Sequence, residues 1–285
     1  VLLAASLHVV WNTLVKVADD SYLATVAIAV GGGLICAVAL PFLPQMNGSA
    51  WLNVAGSVVA QSIYYPLVAA AYRAGDMSLT YPLMRGTAPL LVAVVSGPII
   101  GEHLAQGQWA GIALICVGIW AMSASGMLRA RAAEPTVARS ARGIRPPRAL
   151  VLALINAAVI ATYTLIDGTG ARVSGAPLTY TAWLFVITAL PMGFVTLLRR
   201  PRELLAATTA SWWLSPVGGL ANVGAYGLVL WAMTKAPVAT VAALRETAIL
   251  FATVTAIVVL KEKVNKYRIG AAIVIAAGVM VLRLA

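Results

Sequence analysis

Two arginines, Arg85 and Arg245, stand in the middle of long apolar runs, and their surroundings are of the kind that recognises a small charged molecule. A guanidinium at the centre of a membrane helix costs at least ~2.5 kcal/mol even on the lenient insertion scale, so it must face protein, water or an anion. The competing reading is that each arginine staples helices together through carbonyls or a carboxylate. Arg245 has such a carboxylate next to it in Glu246, although adjacent helical residues point in different directions; Arg85 has no acidic residue close in sequence. Pro82 and Pro89 flank Arg85. A proline inside a helix frees the carbonyl four residues earlier, here those of Ser78 and Arg85, so this span is expected to open and to offer acceptors to an ammonium group. A plain packing kink is the alternative. Ala242 and Ile249 occupy the corresponding places near Arg245, so the two arginine segments are not equivalent.

Other polar residues fall at helical spacing inside apolar runs. His8 and Asn12 share a face with Trp11 beside them, and Gln61, Tyr64 and Tyr65 lie on one side of their run. Asn156, Tyr163 and Asp167 form a stripe, and Asn222 and Tyr226 are one turn apart. The substrate-binding set expected from these positions is Arg85, Tyr81, Tyr64, Tyr65, Gln61, His8, Trp11, Asn12, Tyr163, Asn222, Tyr226 and Arg245, around a central wet cavity. Glu246 and Asp167, the acidic residues well inside spans, are the candidates for proton coupling, with simple solvation near a span end as the alternative for Asp167. Each polar residue alone is more often a satisfied interhelical hydrogen bond than a ligand. Glu102 and Glu262 follow their helices and are better read as loop braces.

The elements that must position these residues are membrane spans. The chain of 285 residues is 61% apolar and 10% charged with a mean hydropathy of +0.91, which excludes an ordinary soluble domain. Apolar length and helix breakers give ten helices at about 1–17, 21–43, 51–73, 77–101, 106–127, 149–171, 177–199, 209–234, 237–260 and 267–284. No strand pattern competes. The formal charge of +11 sits in short interhelical segments, so it does not indicate nucleic acid. Cys36 and Cys116 lie inside apolar runs and read as packing residues, with no support for a disulfide, zinc or redox role. The glycines Gly31–Gly33, Gly107, Gly111, Gly218 and Gly219 read as close-packing sites rather than phosphate loops. Because the sequence opens at Val1 inside an apolar run, a short preceding piece is expected, and no small-residue cleavage site of a signal peptide follows.

The halves repeat. Residues 129–148, rich in Arg, Ala and Pro, separate a first five-helix repeat (1–128) from a second (149–285). Placing residue n beside n+160 aligns Arg85 with Arg245, Thr87 with Thr247, Leu90 with Leu250, Glu102 with Glu262 and Gly118 with Gly278, without a gap. An odd number of spans per repeat puts the second copy upside down, the inverted plan of secondary transporters with a midplane site. The stretch from Tyr81 to Pro89, then Gly101-Glu102, Gly111 and Gly118, resembles the EamA family of the drug/metabolite transporter superfamily. So does its partner, Leu244-Arg-Glu-Thr247 with Leu260-Lys-Glu262 and Gly278. The resemblance spans essentially the whole chain. It implies a multi-pass carrier of small metabolites in a bacterial inner membrane, working by alternating access, and names no substrate.

Loop charges favour one side by 15 to 3, which taken alone places the 129–148 segment in the cytoplasm and both termini outside; relatives of the superfamily have both termini inside. A lipid or lipid-linked-sugar flippase is the alternative function. An intramembrane enzyme is disfavoured: only His8 and His103 are present, with no HExxH and no Gly-x-Ser motif paired with a buried base. The expected partners are a small-molecule substrate and membrane lipids, with no nucleic acid, no cofactor and no metal, and the chain is expected to act as a monomer. Surplus positive charge near the midplane points to a substrate bearing a carboxylate or phosphate, an amino acid or small organic anion fitting best.

Overall fold

A computed structural model describes residues 1–75, 77–133, 146–203, 213–258 and 266–285, and among these every regular element is helical. The helices are α1 (Leu2–Val17), α2 (Ser21–Ala39), α3 (Ala50–Ala74), α4 (Met77–Ile100), α5 (Gln106–Ala133), α6 (Pro146–Val173), α7 (Pro177–Arg199), α8 (Leu214–Met233), α9 (Val238–Arg245), α10 (Ala248–Val258) and α11 (Lys266–Leu284). Seven segments in the described residues are long and apolar enough to cross a membrane, α9 and α10 counting together, and three shorter apolar helices accompany them: Leu2–Val17, Gln106–Met122 and Ile269–Leu284. Large apolar side chains such as Val38, Leu52, Ile99, Leu190, Phe194 and Met280 point outward. That surface suits hydrocarbon and would be an aggregation hazard in water.

Three expectations are corrected. The run 237–260 is not one helix: it breaks at Glu246 and Thr247, where Glu246, Thr247, Ile249 and Leu250 each donate to a carbonyl three residues back. Helix α4 does not open, but continues through Pro82, Pro89 and Pro98. Segment 129–148 is helical at both ends, since α5 runs on to Ala133 and α6 starts at Pro146; residues 134–145 lie outside the described set. So do 204–212, which held the expected start of the eighth span, and the segment 259–265 that carries Glu262.

The chain forms two compact units, each drawn from both sides of the 129–148 segment. The first holds residues 1–58 and 166–236, the second 59–165 and 237–285. In the first unit α2 lies against α7 and α8, and its glycine triplet permits this. A Cβ on Gly33 would come within 2.6 Å of the Ala189 Cβ, and one on Gly219 within 2.5 Å of the Gly32 nitrogen. Backbones this close gain dispersion contacts that lipid cannot replace. At its start α2 is capped by Asp20, whose Oδ1 accepts from the Tyr22 and Leu23 amides at 2.9 and 3.0 Å.

In the second unit α5 and α11 run antiparallel in close contact. Gly107 lies by Ala285, Gly111 by Leu282, and Gly118 by Ile275. Partners exchange along this seam. A Cβ on Gly118 would meet Ile275 at 2.5 Å and one on Gly278 would meet Ile115 at 2.8 Å, and both 115/275 and 118/278 are related by 160 positions. The contacts are therefore reciprocal under that register, between helices of opposite direction. Gly101, at φ +70°, turns the chain after α4, and Glu102 behind it accepts from the Val238 amide at the start of α9 through Oε1 at 2.8 Å. Glu102 therefore braces a loop as expected.

Candidate functional site

Of the fourteen residues singled out, Arg85, Tyr81, Tyr64, Tyr65, Gln61, Tyr163, Arg245 and Glu246 belong to the second unit. His8, Trp11, Asn12, Asn222, Tyr226 and Asp167 belong to the first. Among the described residues each unit has one buried carboxylate with its own set of partners.

In the second unit Arg85, on α4, meets Glu246, at the break between α9 and α10. The guanidinium Nε donates to Oε2 at 3.0 Å and Nη2 lies 2.8 Å from Oε1, a side-on bidentate pair. The two side chains are 11% and 7% exposed, so the pair is nearly sealed from solvent. The sequence offered Glu246 as an alternative partner for its neighbour Arg245 and no acidic residue near Arg85; the structure brings that carboxylate to Arg85. Arg245 is within electrostatic reach of Glu246 as well. Tyr81, Tyr163 and Tyr64 lie in the same range of Arg85. The Tyr64 ring stands edge-on to Tyr163 at 6.0 Å and to Tyr65 at 5.3 Å. Tyr163 is buried, Tyr64 and Gln61 half-buried, Tyr65 and Tyr81 exposed. Tyr163 shares one buried cluster with Met84 and the small residues Ala60, Ala88, Ala153 and Ala157. Asn156 donates to Met84 Sδ at 2.9 Å, and its Oδ1 is buried with no partner among the described residues.

The break at Glu246 explains how the carboxylate reaches Arg85. Hydrogen bonds spanning three residues rather than four tighten the backbone there, and Thr247 Oγ1 donates to the Leu244 carbonyl at 2.7 Å. Mid-helix turns of this sort re-aim side chains and recur at functional sites. Two arginines and one carboxylate leave the cluster with surplus positive charge, and the tyrosine hydroxyls can donate or accept. Such a set can bind an anionic group bidentately and satisfy further polar atoms of one small molecule.

In the first unit Asp167, on α6, is fully buried, which removes the solvated reading. Its Oδ1 accepts from the Tyr180 hydroxyl at 2.8 Å and its Oδ2 from the Tyr226 hydroxyl. Tyr226 stands edge-on to Phe185 at 6.1 Å. Tyr180 packs its ring against Gly170, one turn beyond Asp167. The remaining candidates in this unit engage locally: Trp11 Nε1 donates to His8 Nδ1 at 3.3 Å and Asn12 Nδ2 to the His8 carbonyl at 2.7 Å. Asn12 is exposed and Asn222 half-buried.

Sequence reasoning passed over Tyr72 and Tyr180. Tyr72 packs on the cluster around Tyr163; it lies seven residues after Tyr65, two helical turns on, so its spacing was a usable signal. Tyr180 sits on the largely apolar α7, where only the flanking Thr179 and Thr181 hinted at a polar face. Cys36 and Cys116 are free and buried, and no group of metal-ligating side chains occurs among the described residues.

Residues 147–284 match the EamA-like transporter family, which bears out the resemblance carried by the motifs. No curated protein matches the sequence. Among solved structures 27 chains match; one crystal structure of a protein aligns with a TM-score of 0.68 at 19% identity, covering 99% of this chain and 97% of the other. At that identity the likeness is one of fold.

Proposed function

We propose, from the premise that residues 147–284 are an EamA-like transporter domain of the drug/metabolite transporter superfamily, that the chain is a secondary carrier of a small polar metabolite bearing a carboxylate, an amino acid or organic anion. The observation that carries this reading is the bidentate Arg85–Glu246 pair in a tyrosine-lined cluster: the planar fork of Arg85 already holds a carboxylate in the geometry a substrate would need. Tyr64, Tyr81, Tyr163 and the Asn156 Oδ1 supply partners for an amine or hydroxyl on the same molecule. Arg245 contributes the charge that keeps the cluster attractive to anions.

The carrier works by alternating access between two inverted five-helix repeats, 1–128 and 149–285, joined by the 129–148 segment. Support comes from the gapless register of 160 and from the reciprocal, antiparallel packing of α5 and α11. Seven long and three short apolar helices among the described residues would make up the ten spans of this plan, in a bacterial inner membrane. Within the first unit, His8, Trp11, Asn12, Asn222 and Tyr226 are further candidate substrate contacts, and the carrier acts as a monomer.

A thermal-shift screen of purified protein against amino acids and organic acids tests the reading. A ligand at 100 times its dissociation constant stabilises by ~2.7 kcal/mol. At least one carboxylate should stabilise the wild type, and Arg85→Lys, which keeps the charge but loses the fork, should weaken that response at least tenfold. Stabilisation by organic cations alone would overturn it.

A further inference from the structure

The position of Glu246 carries a consequence for how a substrate arrives. Its two oxygens take the side-on face of Arg85, the arrangement an incoming carboxylate would have to adopt. The groups facing Glu246 are Arg85 on α4, Cys116 on α5 and its own neighbour Arg245; those facing Arg85 are Tyr64 on α3, Tyr81 on α4 and Tyr163 on α6. The pair is nearly sealed, so a Glu246 carboxylate displaced from that face by a substrate would keep its charge in a low-dielectric site without its bidentate partner. Glu246 also sits where α9 ends and α10 has yet to begin, so it can leave Arg85 by a turn of the backbone without melting a helix.

We infer that Glu246 is a resident stand-in for the substrate carboxylate, released by taking up a proton when the substrate binds, so that carboxylate and proton travel together. This rests on the anion-binding reading above and adds its coupling. The exchange balances: the Glu246 carboxylate on Arg85, a substrate carboxylate and one proton from the aqueous phase give a neutral Glu246 carboxyl and a substrate carboxylate on Arg85. No covalent bond other than the new O–H is made. Under this scheme the apparent affinity for a carboxylate rises about tenfold for each pH unit of acidification while Glu246 is ionised, and the dependence disappears once the residue cannot ionise.

The test uses acetate as a probe of the vacated seat, read by thermal shift on the purified full chain. In Glu246→Ala, acetate should stabilise saturably and with no pH dependence across the range in which acetate stays ionised. In the wild type it should stabilise only as the pH falls. In Arg85→Gln/Glu246→Ala it should do nothing specific. Should Glu246→Ala fail to fold, Glu246→Gln keeps the shape, and its acetate response should likewise lose the pH dependence of the wild type. Acetate binding through Arg85 with the same pH dependence in the wild type and in both Glu246 variants would overturn the exchange and leave the anion site standing. No Arg85-dependent response in any variant would overturn both.

Discussion

Among the described residues the two units bury one carboxylate each and satisfy it in different ways. Glu246 is held by a guanidinium in a bidentate pair, with a second arginine near it. Asp167 is held by two phenol hydroxyls, from Tyr180 and Tyr226. An ion pair favours the charged form of both partners until a competing anion takes the guanidinium, and it makes removal of either costly, because the survivor is left charged and desolvated. Tyrosine hydroxyls can rotate and donate to a carboxylate, or accept from a carboxylic acid, so their cluster tolerates a change of charge. The first arrangement suits a site that recognises one ligand geometry. The second suits a hinge or a relay that keeps its shape through a cycle.

The comparison breaks most visibly at Arg85. Arg85→Met should destabilise by ~3–5 kcal/mol in detergent unfolding, whereas Arg85→Met/Glu246→Leu should regain most of that loss, since apolar replacement of a whole buried pair is often neutral. Failure of the double variant to regain stability would mean that the pair supports the fold rather than a ligand. On the other side, Tyr180→Phe removes one hydrogen bond to a buried charge and should cost ~1.5–3 kcal/mol. Tyr226→Phe, at a half-buried position where water can substitute, should cost less, about 1 kcal/mol. Equal losses from the two would show that burial does not separate them.

The smallest effect expected comes from an exposed carboxylate that belongs to neither cluster. The Leu23 and Tyr22 amides at the start of α2, with Arg200 at 3.2 Å, hold the Asp20 carboxyl below the usual carboxylate range. A group whose folded pKa is depressed contributes stability above its unfolded pKa and loses it as the pH falls through the folded one. Unfolding of the wild type should therefore weaken slightly below the ordinary Asp range, and Asp20→Asn should lose most of that increment. An unchanged acid profile in the variant would remove Asp20 as its source.

What the sequence made legible follows from which forces are local. Apolar length placed the helices because a membrane span is a property of one segment, and the register of 160 placed Gly118 and Gly278, which do meet the partners that register relates. The central arginine was visible from its cost alone. Its partner was not, because 161 positions separate Arg85 from Glu246 and nothing in either segment encodes the other. The break near Glu246 was misplaced for a related reason. Three prolines in α4 suggested an opening there, yet the helix continues through them, while the related segment breaks where it has none. Neighbouring helices re-satisfy the carbonyls that proline frees, whereas a buried ion pair can impose a turn on a sequence that propensity would leave helical. Asp167 was legible as an acidic residue in a span, but its tyrosine partner lay on the largely apolar α7, with only Thr179 and Thr181 beside it as a polar signal.

The most direct test is uptake into liposomes reconstituted with the wild type, Arg85→Lys and Glu246→Gln, using a mixture of isotope-labelled amino acids and organic acids with a pH gradient that can be set or abolished. The wild type should accumulate at least one labelled carboxylate. Arg85→Lys should lower that uptake at least tenfold through weaker binding, and Glu246→Gln should remove the effect of the gradient. Uptake that is indifferent to Arg85, or confined to organic cations, would contradict the assignment of this arginine as the anchor of the substrate.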